Sequence, residues 1–272
     1  MSAARKLISS TSRSSPAHNT VWPERRHWFV ATTVGVALII GLTWLTTAGA
    51  GTPELRIAAT NRAVSAQIVD GEYRVLILNA RDPRDARAVI GKLAQPWEPR
   101  PSTIIVGADR DNASALWEAV HRVEPQQIIV AGAPGDSTDW SAIERYARER
   151  QIQVSFLEKP TAIKLDSTTI TVSPPIDAGS ISNPSFVEIG RSESLIAVEL
   201  AGLPQRGRYH LSVSAEPPGP HVWANLAVTM DDSTTSGRGR SILLRPGERI
   251  DTIVEPNRLR IQGRHARDLQ QH

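Results

Sequence analysis

Three oxygen-bearing side chains, Asp109, Asp111 and Asn112, fall close together in "IIVGADRDNASAL" (104–116). They follow an apolar run that stops at Gly107 and precede a helical pattern, so they occupy a strand–turn–helix junction. Carboxylates and carboxamides are hard ligands, and Ca²⁺ or Mg²⁺ is the cation they could hold. Such a cation takes about six or more oxygens, more than this turn supplies. Capping is the simpler role: Asp111 or Asn112 closes a helix starting near Ala113, with negative charge favoured at its N-terminal end. The expectation is no metal, no cofactor and a helix start, testable by cation titration.

Zinc chemistry would require imidazoles. The seven histidines are His18, His27, His121, His210, His221, His265 and His272, and no two have His-x-His or His-x-x-x-His spacing. A two-metal hydrolase holds its ions with grouped imidazoles and carboxylates, so a zinc pair is not expected. His121 reads as a solvated helix side chain, and His210 and His221 as isolated surface or capping residues. There is no cysteine, which excludes disulfides and thiolate metal sites. No glycine-rich phosphate loop or nucleophile elbow occurs. "GRGR" (237–240) beside "RPGERI" could touch phosphate, but short basic runs of this kind read as solvated loop.

The elements that must position the 109–112 turn follow from hydrophobic periodicity. Glu54–Thr60, Ser65–Val69 and Glu72–Leu78 read as strands, with Asp70-Gly71 as a hairpin turn. Ala86, Val89, Ile90 and Leu93 have helical spacing. A short strand at Thr103–Val106 leads into the turn. Leu116, Ala119, Val120 and Val123 form a helical stripe closed by Pro125. Gln127–Ala131 is a strand. Ser137, Thr138 or Asp139 caps a helix to about Arg150, and Gln153–Leu157 returns as a strand. Strands then dominate: Ala162–Leu165, Thr168–Val172, Ser185–Ile189, Leu195–Leu200, Tyr209–Ala215, Ser241–Leu244 and Arg258–Gln262. No repeat at a fixed period is visible. This order of strands and helices fits an α/β (α+β) domain with two sheets and helices packed outside them.

Ahead of that domain, "WFVATTVGVALIIGLTWLTTAGA" (28–50) carries no charge. At about 1.5 Å per residue it is long enough to cross a hydrocarbon core of roughly 30 Å. Trp28 and Trp44 sit near its ends, and Arg25, Arg26 and His27 precede it. The positive-inside rule puts residues 1–27 in the cytoplasm and the remainder outside. The segment exceeds the 7–15 or so residues of a signal-peptide core, so a retained single-pass anchor is expected rather than cleavage. The formal net charge is +3, and residues 1–27 hold five basic residues against one acidic, so the rest is close to neutral. A broadly basic nucleic-acid-binding surface is therefore not indicated. The expected organisation is a disordered basic tail (1–27), a transmembrane helix (28–50), an extracytoplasmic domain (51–263) and a flexible tail (264–272).

Over residues 53–262 the order of landmarks resembles the metallo-β-lactamase-like domain at the C-terminal end of ComEC-type competence proteins. "LRIAATNRAVSAQIVDGEYRVLILNA" has the lengths and turn of that family's opening strands, with Arg62–Ala66 in place of G-Q-G-D-A and Leu76–Ala80 in place of L-I-D-T-G. "VGADRDNASAL" stands where T-H-x-H-x-D-H-x-G-G-L would be. Pro174…Asn183-Pro184-Ser185-Phe186-Val187 is similar to the later P…N-x-x-S-L-V stretch, Leu195–Glu199 takes the place of L-L-T-G-D, and H-H-G-S would fall near Ser214-Ala215. The first two histidine positions are Gly107 and Asp109, the aspartate is kept as Asp111, and the last histidine is Asn112. The bridging aspartate becomes Glu199.

The resemblance implies a metallo-β-lactamase-like αββα sandwich in degenerate form, preceded by one transmembrane helix and lacking the metal-binding histidines. The weak candidate site residues are Asp109, Asp111, Asn112 and Glu199. The function expected is a non-catalytic binding or scaffolding role at the membrane beside a membrane channel or envelope protein. A link to competence and DNA uptake, and hence to nucleic acid, comes from the resemblance alone. Two alternatives are a divalent-metal-dependent phosphoester hydrolase with a carboxylate-based site, and an envelope interaction module unrelated to DNA.

Overall fold

Alternation decides the first layer. In Glu54–Ala59 (β1), Val64–Asp70 (β2) and Tyr73–Leu78 (β3), alternate side chains such as Leu55, Ile57, Val64, Ala66, Ile68, Val75 and Ile77 join one buried cluster, while Ala58, Leu76 and Leu78 join a second and Arg56, Ser65 and Gln67 are buried polar groups on that other face. Both faces of this sheet are therefore covered, and strands covered on both faces are rich in Val, Ile and Leu, as these are. The computed structural model describes residues 51–60, 62–134, 137–175, 184–204, 206–215, 222–230 and 240–265; the side chains of Arg110, Asp111, Arg264 and His265 are excepted. The basic tail and the apolar segment 28–50 lie outside the described residues. Among the described residues no helix is long and apolar enough to cross a membrane.

After β3, three strand–helix units follow. They are Pro83–Leu93 (α1) and Thr103–Gly107 (β4), Arg110–Val123 (α2) and Gln127–Ala131 (β5), and Thr138–Glu149 (α3) and Gln153–Leu157 (β6). β3, β4, β5 and β6 pair in parallel, as crossover helices require. Asp82 caps α1, its carboxylate accepting from the N–H groups of Arg84 and Asp85 at 2.8 Å, and Pro83 sits at the first helical position. Ser137 caps α3 by accepting from Asp139 N–H.

The chain then builds a second sheet from Thr161–Lys164 (β7), Thr169–Ser173 (β8), Phe186–Arg191 (β9), Ser194–Glu199 (β10), Gly207–Val213 (β11), Val222–Thr229 (β12) and Arg240–Leu243 (β13). It returns to the first sheet with Arg249–Val254 (β14) beside β1, and Leu259–His265 (β15) forms the edge. β15 reaches two residues into the segment expected as a tail.

The strand order exposes a likeness between the sheets. Reading β14-β1-β2-β3-β4-β5-β6, the pairings are three antiparallel and then three parallel, and β7-β8-β9-β10-β11-β12-β13 repeats that pattern. The two halves differ in their crossovers. The first half carries a helix in each. The second joins its parallel strands through 200–206, 214–221 and 230–239, with no helix among the described residues. The two-sheet α/β sandwich is as expected, but the fourth layer of an αββα arrangement is not found among the described residues. The three helices all pack on one face of the first sheet.

The larger core lies between the sheets and includes Leu55, Ile57, Ile68, Ile77, Ile105, Ile170, Ile189, Ile196, Leu211 and Val228. A second core lies under the helices, where Leu76, Ile104, Val106, Ile128 and Val130 meet Leu93, Leu116 and Trp140. Two strands were not expected. β12 carries Asn225 in its middle, and β14 ("RIDTIV") carries Arg249 and Asp251, which read as surface. Both charges in β14 are buried as a pair, with Arg249 Nε 2.6 Å from Asp251 Oδ1 and Nη1 donating to the carbonyl of Lys92 at 2.9 Å. Arg56 pairs with Glu54 and Glu98 and reaches the Leu93 carbonyl at 3.5 Å. Burial alone would lower the pKa of Arg56, but the hydrogen bonds to Glu98 and Glu54 raise it. Two guanidinium groups thus close the C-terminal end of α1, where orphan carbonyls favour cations.

The sandwich has two ends. β1 starts at the entry end, and so do β3, β4, β5 and β6 by their pairing. β10 also starts there, because Ser194 Oγ donates to Glu255 O in the β14–β15 turn. At this end the carboxylate of Asp70 clasps the β7–β8 turn, accepting from the N–H and hydroxyl groups of Ser167 and Thr168 at 2.8–2.9 Å. Asp70 precedes Gly71, whose φ of +59° makes the expected hairpin turn; a Cβ there would lie 2.5 Å from Asp166 Oδ2.

Candidate functional site

The far end gathers the carboxyl ends of β4, β5, β10 and β11. In parallel sheets, ligands bind outside such ends. Gly107 closes β4 against the second sheet: a Cβ built on it would lie 2.9 Å from Asn112 Nδ2, 3.7 Å from Asp109 Oδ2 and 3.8 Å from Leu200 Cβ. Gly132, just beyond β5, has a φ of +110°, and a Cβ on it would meet Ala108 Cβ at 3.1 Å and Pro175 Cδ at 3.3 Å. Small residues thus let the two sheets close on each other at this edge.

α2 begins at Arg110, earlier than expected, and Asp109 rather than Asp111 or Asn112 holds its N-cap position. Asp109 has extended backbone angles and makes no side-chain capping bond, while its carbonyl accepts from Asn112 N–H at 3.1 Å. Asp111 and Asn112 are inside the first turn, so neither caps the helix. Asn112 is 4% exposed, with its amide over Gly107. The capping role read from the sequence therefore needs correction. A short extended residue makes the turn, and the carboxamide is used in packing.

Glu199 ends β10, and its Oε2 accepts from the N–H of Ala215 at 2.7 Å. The structure therefore joins the position where the resemblance put a bridging carboxylate to the position where it put a late histidine. That carboxylate closes β10 onto the end of β11. Asp109, Asn112 and Gly107 are brought together, with Leu200 against them and Glu199 one residue away along the chain. Among the described residues no three of His, Asp and Glu are grouped as a metal would need. His210 is used elsewhere: its Nδ1 lies 3.2 Å from Leu195 N and accepts that N–H from the neighbouring strand. His121 is exposed on α2, as expected. Its ring lies 4.5 Å from Trp117 and 4.4 Å from Tyr146, between α2 and α3. Of the basic run, Arg240 is exposed at the start of β13, 237–239 lie outside the described residues, and Arg249 is buried against Asp251.

A second polar group at this edge went unread in the sequence. Ser65 Oγ accepts from Asn79 N–H at 3.0 Å and donates to Asn79 O at 2.9 Å. Asp85 is buried at the start of α1, and its Oδ2 has no hydrogen-bond partner. Burial and the neighbouring Asp82 charge push the Asp85 carboxyl above its ordinary range. The Asp-Pro step at 82–83 was the available signal for a helix start here.

No protein-family model and no curated protein matches the sequence. Several solved structures are similar to it. One is CmlA, a diiron β-hydroxylase from Streptomyces venezuelae (9% identity, TM-score 0.46), covering 74% of this chain. The chain spans 54% of that protein's length. Another is a diphosphatase from the PhnP family, at 10% identity over 75% of this chain and 98% of that one, with a TM-score of 0.41. A metallo-β-lactamase from Hirschia baltica is similar at 17% identity over 57% of this chain and 68% of that one, with a TM-score of 0.31. At these scores the architecture rests on the strand pairings themselves.

Proposed function

We propose that the chain is a membrane-anchored, extracytoplasmic, metallo-β-lactamase-like sandwich that binds or scaffolds rather than catalyses. The observation that carries this reading is the occupation of the far edge by its own side chains. Asn112 covers Gly107, and Glu199 is engaged by the backbone of Ala215. A zinc pair of the kind the resemblance implies would need imidazoles at this turn, and Gly107, Asp109 and Asn112 supply none.

The partner proposed is an envelope protein or membrane channel; a tie to DNA uptake is what the family resemblance implies. The test uses the full chain in detergent. Zn²⁺, Mn²⁺ and Ca²⁺ are titrated while melting is followed, and phosphodiesterase activity is assayed with each. Unchanged melting and no turnover are expected. A saturable rise of several degrees, or turnover abolished by Asp111→Ala, would replace this reading with the carboxylate-based hydrolase. Retention of DNA in a low-salt gel shift would turn the partner from protein to nucleic acid.

A further inference from the structure

We infer that the entry end of the sandwich is a membrane-contacting surface, seated in the headgroup region by exposed aromatic side chains. This rests on the anchored reading proposed above. The large apolar side chains exposed among the described residues are Tyr73 (48%), Trp97 (78%), Trp117, Trp223 (47%) and Ile261 (41%). Single exposed apolar residues are ordinary on any surface, so their mere presence means little. Their placement is one-sided.

Tyr73 is the first residue of β3 and pairs with Asp70, at the level of Glu54, where β1 starts. Trp97 lies in the loop that brings the chain from α1 back to the start of β4, next to Glu98, whose carboxylate holds Arg56 of β1. Trp223 is the second residue of β12, in register with Arg208 near the start of β11, which runs parallel to β10. Ile261 pairs with Thr252, which pairs in turn with Leu55. All four therefore lie at the entry end or within two or three residues of it, and they span both sheets. The fifth, Trp117, sits midway along α2 and is partly covered by His121 and Tyr146. No large apolar side chain of the described residues is exposed at the far end.

The chain arrives at this same end. The uncharged segment 28–50 is followed by β1 at Glu54, and the intervening residues span at most roughly 14 Å. Pro53 is already fixed, its carbonyl accepting from Val254 N–H at 2.8 Å. A membrane at residue 50 is therefore close to Tyr73, Trp97, Trp223 and Ile261. Trp and Tyr favour the membrane–water interface because an apolar ring and a polar handle are satisfied together there. Charges of both signs share this end, among them Glu72, Arg74, Glu98, Arg100 and Arg208, so the attachment comes from the rings and is insensitive to salt.

The absence of cysteine makes the test clean, since single cysteines can carry spin labels without competition. The full chain is reconstituted in phosphatidylcholine vesicles with a label at Glu72→Cys, Pro99→Cys or Asn225→Cys at the entry end. Arg84→Cys and Arg245→Cys serve at the far end, and Val36→Cys in the apolar segment. Collision with oxygen, which concentrates in lipid, is compared with collision with a water-soluble nickel chelate. The oxygen-to-nickel ratio is expected to be about threefold or more higher at the three entry-end sites than at the far-end pair, in the order of depth of an interfacial residue. It is expected to fall when Trp97→Ser and Trp223→Ser are added, and to hold in 1 M salt. A label at 36 in lipid with the entry-end sites matching the far end overturns the inference and leaves the anchor standing. Entry-end labels shielded from both reagents overturn it too, because protein rather than lipid then covers this end. A label at 36 in water overturns the anchored reading, and the inference with it.

Discussion

The side-chain amide of Asn112 stands 2.9 Å from where a β-carbon on Gly107 would sit. By the sequence resemblance these are two positions at which histidines would be expected; in this chain the amide of Asn112 lies over Gly107. Gly107→His is therefore expected to overpack the edge and destabilise by about 1–3 kcal/mol. Zinc should not restore the loss. Adding Asn112→Ala should relieve part of it. Thermal melts of the three proteins with and without Zn²⁺ check this; a zinc-dependent rise in Gly107→His alone would show that the site still accepts a metal.

Asp70 joins the two sheets at the entry end by four hydrogen bonds to Ser167 and Thr168. Bonds to a charged acceptor are worth more than neutral ones, and Asp70→Ala would strand two backbone N–H groups. The expected loss is about 3 kcal/mol or more, read as a lower midpoint in urea. Asp70→Asn should fall between the two, since it keeps an acceptor oxygen.

Asp85 gives a pH dependence of defined sign. Its carboxyl is raised in the folded state by burial and by Asp82. The stabilising contribution of the protonated form is therefore complete below the ordinary carboxyl pKa and is lost as pH rises through the raised folded value. At neutral pH the buried charge is a burden, and Asp85→Asn should raise the melting temperature by about a few degrees. The gain should shrink on acidification toward pH 4. Asp82 behaves oppositely: its backbone hydrogen bonds from Asp85 and Arg84 lower its carboxyl, so its cap is present at neutral pH and lost as pH falls.

Arg249 and Asp251 are buried together under the end of α1. Removing the cation alone, as in Arg249→Leu, takes a partner from a buried carboxylate and should cost about 3–5 kcal/mol. The double substitution Arg249→Leu with Asp251→Leu should recover much of that, because no charge is then left buried. A double-mutant cycle from denaturant midpoints measures the coupling.

Burial of the phenol, and its hydrogen bond to Glu188 Oε1 at 2.8 Å, push the Tyr209 pKa up. In an alkaline titration of the folded protein, one phenol should ionise only above the ordinary tyrosine range. That ionisation should vanish in Tyr209→Phe.

Much of the first half was legible because each element there is independently marked. Alternation gave β1 to β3, the apolar stripes gave α1 to α3, and Asp70-Gly71 and Ser137 supplied punctuation that the structure uses as expected. The second half was harder to read, as β14 shows. Arg249 and Asp251 look like surface residues until the end of α1 is placed over them, and the pairing of β14 with β1 joins residues about 200 positions apart. The likeness between the two sheets was likewise invisible. It resides in the order of pairings, which requires no repeat of residue types at a fixed period.

At the candidate edge, residue types alone show that 104–116 holds no imidazole, because that follows from which side chains exist there. They also fixed the strand–turn–helix course through Gly107 and Asp109. What only the tertiary structure decided was the use of each polar group. Asp109 rather than Asp111 or Asn112 takes the cap position, Asn112 packs over Gly107, and Glu199 closes onto Ala215. The reason is physical. A carboxylate or carboxamide has the same local preferences whether it caps, coordinates or packs. The choice among these is made by the backbone groups that the opposite sheet brings within 3 Å.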